Sequence, residues 1–130
     1  MTDGATTART VLLVEDSDAI RDAFTILLED AGYTVLGAGN GEDALRLAAD
    51  HLPDLMLLDM GLPDMTGLDV VRQVKADAAT AGISVVAVTG RDEAADRRAC
   101  LAAGCAAYIV KPVNTQKLVR DLPGFMGDGK

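Results

Sequence analysis

Five residues in this sequence have types and positions that suit one chemistry. Asp59 directly follows the apolar run Leu55-Met56-Leu57-Leu58, and Glu15-Asp16 follows Val11-Leu12-Leu13-Val14 in the same way. Thr89 ends the run Ile83-Ser84-Val85-Val86-Ala87-Val88, and Lys111 ends Ala106-Ala107-Tyr108-Ile109-Val110. Singly, each has an ordinary reading: Asp59 as a helix or turn cap, Glu15-Asp16 as first-turn acids, Thr89 as a strand-end residue, Lys111 as a surface lysine. Together they are three carboxylates, a hydroxyl and an ammonium. Carboxylates that share a site repel, and one of them is driven toward protonation unless a cation intervenes. An oxygen-only ligand set, with no converging His or Cys, suits Mg²⁺ or Mn²⁺ over zinc. Mg²⁺ commonly joins carboxylates to phosphate oxygens, so phosphoryl transfer heads the chemistries. Asp59 would be the nucleophile and form an aspartyl phosphate. The metal, the Lys111 ammonium and the Thr89 hydroxyl would meet the three equatorial phosphoryl oxygens. Gly61 and Gly90 would let the backbone approach that group closely.

Whether these residues meet depends on the elements between them. The apolar runs read as short strands buried on both faces. Ser17 and Asp18 suit the N-cap and first turn of a helix carrying Ile20, Ala23, Phe24, Leu27, Leu28 and Ala31, with Gly32 as its left-handed cap. Tyr33 to Leu36 is a further strand. Gly39-Asn40-Gly41 then turns the chain into a helix with Ala44, Leu45, Ala48 and Leu52, stopped by Pro53. His51, in its last turn, suits a structural role. Gly67 opens a helix with Leu68, Val70, Val71 and Val74, which ends in the small, polar Asp77 to Gly82 segment. Asp92 is placed to cap a helix running to about Ala103, weakly packing because its apolar face is mostly alanine, and closed by Gly104. Asn114 caps a last helix through Leu122, where Pro123 breaks it. Strands alternating with helices five times predict an α/β fold with a parallel sheet covered on both faces. Each crossover should be right-handed, and parallel strands put all their carboxyl ends, and with them all five residues, on one edge.

Composition narrows the partners. A chain of 130 residues suits one domain, with 49% apolar residues to fill its core. The net charge of −8 opposes phosphate backbones, so direct nucleic-acid binding is not expected. No apolar run approaches the roughly 20 residues of a membrane span. Met1 to Arg9 carries no signal core, which makes a cytoplasmic location the expectation. Cys100 and Cys105 lack metal-ligand spacing and read as reduced, packed thiols.

In this order and spacing, the chain resembles the receiver domain of bacterial two-component response regulators, in particular single-domain, chemotaxis-type receivers. The resemblance covers residues 9–122, with 1–8 and 123–130 as flexible termini. It rests on Val14-Glu15-Asp16, Gly32-Tyr33-Thr34-Val35, Asn40-Gly41 with Ala44-Leu45, Leu58-Asp59 with Pro63 and Gly67, Thr89, Gly104, Tyr108 and Lys111-Pro112. It implies a flavodoxin-like, doubly wound five-stranded sheet in the order 2-1-3-4-5 with five helices. It further implies that Asp59 accepts a phosphoryl group from a histidine kinase. Asp16 and Asp59 would ligate Mg²⁺ directly, with Mn²⁺ as the substitute ion, Glu15 through water, and the Gly61 carbonyl as a further ligand. Lys111 would join the phosphoryl group from across a cis bond to Pro112. Thr89 would move to it and Tyr108 would turn inward in step, as the switch.

Two departures stand out: Val113 occupies a position where many family members have Phe, which weakens the carry-over of the dimer face of DNA-binding relatives, and Gly61 and Arg91 occupy positions that in the family often tune phosphate lifetime. Arg91 reads either as a contact for incoming phosphate or as a solvated surface charge. The leading expectation is a stand-alone receiver, not an enzyme beyond catalysing its own phosphorylation and dephosphorylation, that switches affinity for a downstream protein target. It would be a monomer or a weak phosphorylation-dependent dimer. The alternative is a relay intermediate that passes phosphate to a histidine phosphotransfer protein. A Mg²⁺-dependent phosphatase with an Asp nucleophile ranks below both, because such enzymes place a second Asp where Gly61 stands.

Overall fold

The computed structural model describes residues 9–90 and 94–126. The expectations for residues 1–8, Arg91, Asp92 and 127–130 lie outside the described residues. Five strands and five helices alternate along the chain: β1 Thr10–Val14, α1 Asp18–Asp30, β2 Thr34–Ala38, α2 Gly41–His51, β3 Leu55–Asp59, α3 Gly67–Ala76, β4 Ser84–Thr89, α4 Ala94–Ala103, β5 Ala107–Val110 and α5 Thr115–Phe125. All four strand pairings are parallel, and the sheet order is β2-β1-β3-β4-β5. The register sets Val14 beside Leu58, Asp59 beside Val88 and Thr89 beside Val110, so the strand ends are level at one edge.

Alternation along each strand divides the core into two layers. Leu12, Val14, Met56, Leu58, Val85 and Ala87 pack with Ala44 and Ala48 of α2, Val70, Val71 and Val74 of α3 and Cys100 of α4. Val11, Leu13, Leu55, Leu57, Val86 and Val88 pack on the opposite face with Leu28 of α1 and Leu118 and Leu122 of α5. The central strands are therefore apolar on both faces, which is why they read as continuous runs rather than alternating ones.

Helix ends follow local chemistry. Ser17, Asn40, Thr66 and Asn114 each sit at an N-cap in extended backbone, their side-chain oxygens accepting an amide from the first turn. Ala31 caps α1, and Gly32 beyond it takes φ +103° while the Tyr33 amide donates back to the Leu28 carbonyl at 3.1 Å. Pro53 disfavours helical backbone at Leu52, which takes φ +48° as the α2 cap, leaving His51 exposed in the last turn.

Most boundaries fall within a residue of expectation, and two differ by more. β2 continues through Gly37 to Ala38 because both pair with β1, so the sheet register overrides the low strand propensity of glycine. α5 does not stop at Leu122. Pro123 lies inside the helix, which runs to Phe125, and the Met126 amide donates to the Leu122 carbonyl at 3.2 Å. The lost proline N–H costs one bond, but packing of Phe125 and Met126 against the α1–α5 layer holds the last turn in place.

Candidate functional site

The carboxyl edge of the sheet forms a cleft lined by Glu15, Asp16, Asp59, Gly61, Thr89 and Lys111, among others. Hydrogen bonds beyond the strands fix its floor. The Glu15 amide donates to the Ala38 carbonyl at 2.9 Å, that of Met60 to Val88 at 2.9 Å, and that of Lys111 to Thr89 at 2.7 Å. Gly67 has to be glycine for this floor to close, since a Cβ there would lie 2.8 Å from the Met60 Cα.

The acids meet as the sequence requires. One carboxylate oxygen from each of Glu15, Asp16 and Asp59 lies within 4.8 Å of the others. Glu15 and Asp59 are buried, whereas Asp16 is exposed. Burial pushes the Glu15 carboxyl above its ordinary value, the Ser17 amide draws it back, and the neighbouring Asp59 charge pushes it further up. The Ser17 amide donates to Glu15 Oε2 at 3.0 Å, and that of Gly61 to Asp59 Oδ1 at 3.0 Å. Lys111 Nζ stands 3.5 Å from Asp59 Oδ2. That distance exceeds the ~2.7–2.9 Å of a charge-assisted hydrogen bond, so the pair is loose. One ammonium against three carboxylates leaves a surplus of negative charge, and the donors are all oxygens. The cluster can thus hold a small, hard divalent cation.

Thr89 is buried at the end of β4. Tyr108 is turned inward, buried with Cys100 and Cys105, and shares a hydrogen bond with Thr89. Burial raises its phenol pKa, and the Arg97 guanidinium carbon lies 4.9 Å from its ring centroid. The Lys111–Pro112 bond is cis. Among the described residues, and apart from chain neighbours, nothing lies within 4 Å of a Cβ built on Gly90, and only Asp59 Oδ1, at 3.8 Å, approaches one on Gly61. Val113 lines a largely apolar cavity of about 240 Å³ with Ile20, Phe24 and Pro112, and Glu15, Asp59 and Lys111 line the same cavity.

Two contacts escaped the sequence reading. Asp64 accepts the Gly41 amide at 2.7 Å and the Glu42 amide at 3.0 Å, tying the loop after β3 to the start of α2. Arg21 bonds the Glu15 carbonyl. Neither has a local sequence signal, apart from the i,i+3 spacing of Asp18 and Arg21.

Comparison with known proteins agrees with this geometry. Residues 11–122 match the family model for the response regulator receiver domain. The polar-differentiation response regulator DivK of Brucella anthropi is 36% identical over 120 residues, covering 92% of this chain and 98% of that protein. A CheY-like receiver domain from Methanospirillum hungatei superposes with a TM-score of 0.87 at 30% identity, covering 94% of this chain and 96% of that one. The receiver domain of a sensor histidine kinase from Pseudomonas aeruginosa superposes with a TM-score of 0.83 at 30% identity, covering 93% and 99%, and holds a magnesium ion in its active-site cleft. With the fold, the strand order and the acidic cleft all in agreement, this chain belongs to the response regulator receiver family of two-component systems.

Proposed function

We propose that Asp59 accepts a phosphoryl group from the phosphohistidine of a histidine kinase, and that the resulting aspartyl phosphate changes affinity for a downstream protein. The observation that carries this reading is the cleft itself, with three carboxylate oxygens within 4.8 Å and Lys111 Nζ 3.5 Å from Asp59. Asp16, Asp59 and the Gly61 carbonyl would hold Mg²⁺, or Mn²⁺ in its place, with Glu15 behind them. When bound, that ion neutralises the surplus carboxylate charge and polarises the phosphoryl oxygens.

An Asp59 oxygen attacks phosphorus as the P–N bond to the imidazole breaks. The departing electron pair stays on the imidazole nitrogen, which takes up a proton. Lys111 passes from Asp59 to a phosphoryl oxygen, a small loss because the existing pair is loose. The Thr89 hydroxyl donates to another phosphoryl oxygen. Because Thr89 shares a hydrogen bond with Tyr108, its reorientation is felt on β5. The bistable element is then Tyr108 with α4, and the responding surface is α4, β5 and α5. Catalysis is confined to the chain's own phosphorylation and dephosphorylation.

Wild-type protein incubated with acetyl phosphate and Mg²⁺ should shift on phosphate-affinity gels, and Asp59→Asn should not, with an unchanged circular dichroism spectrum. Undiminished labelling of Asp59→Asn would sink this reading. A chase with a histidine phosphotransfer protein separates a switch, which retains the label, from a relay, which surrenders it.

A further inference from the structure

Arg21 makes contacts that the stability of its own helix does not explain. It is the fourth residue of α1, where a cation opposes the positive end of the helix dipole. Its side chain nevertheless folds back over that end and is mostly buried, at 23% exposure. Nη1 donates to the Glu15 carbonyl at 2.6 Å and Nη2 to Asp18 Oδ1 at 2.5 Å. The stem crosses the end of β2, where the chain has Gly37 and Gly39. A Cβ on Gly37 would stand 3.3 Å from the Arg21 Cδ, and one on Gly39 3.4 Å from Nη1. Two residues without side chains therefore leave the trough in which this one lies.

The consequence falls on the acid pair. Glu15 is already held by its amide, which donates to Ala38, and by its carboxylate, which accepts from Ser17. Arg21 adds the third hold, on the carbonyl, and so fixes the plane of the peptide joining Glu15 to Asp16. That plane sets the direction in which the Asp16 carboxylate leaves the backbone, and the exposed Asp16 side chain meets that of Glu15. The guanidinium therefore meets Glu15 at its carbonyl rather than at its carboxylate, while its other nitrogen pairs with Asp18.

We infer that Arg21 is a positioning residue of the phosphoryl-transfer site, which aims the Glu15–Asp16 pair through the Glu15 carbonyl. This rests on the proposed function, in which those acids hold a divalent cation. Positioning and plain charge make opposite predictions. Removing a nearby cation would tighten Mg²⁺ binding if only charge mattered, whereas loss of an outer contact that orients ligands typically weakens it 10- to 100-fold.

The test is calorimetric titration of Mg²⁺ into wild type, Arg21→Ala, Arg21→Lys and Gly37→Val, with hydrogen exchange of the Asp16 and Ser17 amides in metal-free protein. Arg21→Ala should weaken Mg²⁺ about tenfold or more and speed exchange at both amides. Arg21→Lys, which retains the charge and a donor group but not the planar fork, should recover part of each effect. Gly37→Val keeps the arginine but crowds its stem, and should move both readouts in the direction of Arg21→Ala. Tighter or unchanged Mg²⁺ binding by Arg21→Ala, with unaltered amide exchange, overturns the inference. Failure of wild type itself to bind Mg²⁺ overturns the reading of the site instead, and the metal-free exchange still decides whether Arg21 fixes the loop.

Discussion

The two flanks of the acidic cleft are built differently. On the acid flank, Leu12, Leu55, Met56 and Leu58 are wholly excluded from solvent, and α3 buries Val70, Val71 and Val74 beneath the loop that follows β3. That loop is pinned to α2 by Asp64, and the loop after β1 is pinned by Ala38, Ser17 and Arg21. On the other flank, Cys100 is the one fully buried residue of α4 among the described residues, and Leu101 is 45% exposed. Burial pushes the Cys105 thiol up to about 12, so Cys100 and Cys105 serve there as small apolar packing groups. Chemistry at phosphorus needs groups held to fractions of an ångström, whereas a switch needs an element with a second arrangement close in energy. Under the proposed function, the two needs fall on opposite sides of this cleft.

The largest expected effect tests that assignment directly. Leu58→Ala, in the acid flank, should cost about 2–5 kcal/mol, as large-to-small changes in a packed core do. Leu101→Ala, on α4, should stay within about 0.5 kcal/mol. Urea unfolding midpoints at constant slope measure both, and comparable losses would break the comparison. Next in size is the response to metal. Mg²⁺ at one hundred times its dissociation constant should stabilise the wild type by about 2.7 kcal/mol, and Asp59→Asn by much less. Hydrogen exchange sharpens the point: added protection should concentrate in the loops after β1 and β3. Equal protection along α4 would mean that metal alone couples the flanks.

The acid flank was also the more legible from sequence. Leu55 to Asp59 and Val11 to Asp16 announce themselves, because a strand buried on both faces is a continuous apolar run and an acid after it is conspicuous. The parallel order then forces Glu15, Asp16, Asp59, Thr89 and Lys111 together without further information. What stayed hidden depends on contacts between segments distant in sequence. Asp64 reaches an amide 23 residues back, and Arg21 lies in a trough made by Gly37 of β2 and Gly39 just beyond it. No periodicity encodes either contact. Pro123 misled for the opposite reason: the local rule is sound, but tertiary packing of Phe125 and Met126 outweighs it. The inward pose of Tyr108 is a matter of rotamer and neighbours, which sequence pattern does not address.

Asp64 supplies the smallest effect and the finest test of what pins the acid flank. The Gly41 and Glu42 amides stabilise its carboxylate and hold its pKa below the ordinary 3.8. A folded value below the unfolded one contributes stability that is fully present above 3.8 and is lost as pH falls through the lowered value. Asp64→Asn retains a single acceptor oxygen and no charge. Its unfolding midpoint should therefore sit below that of wild type by a constant margin from neutral pH down to about pH 5, and the margin should shrink once pH drops below 3.8. Because the residue is solvent-exposed, the margin will be modest. Its location is the more telling result. Exchange of the Gly41 and Glu42 amides should quicken in the variant while α4 amides keep their rates, since Asp64 bonds α2 across the acid flank. A margin that persists unchanged into strong acid would mean that the loop is held by the packing of Met65 over Gly41 rather than by the carboxylate.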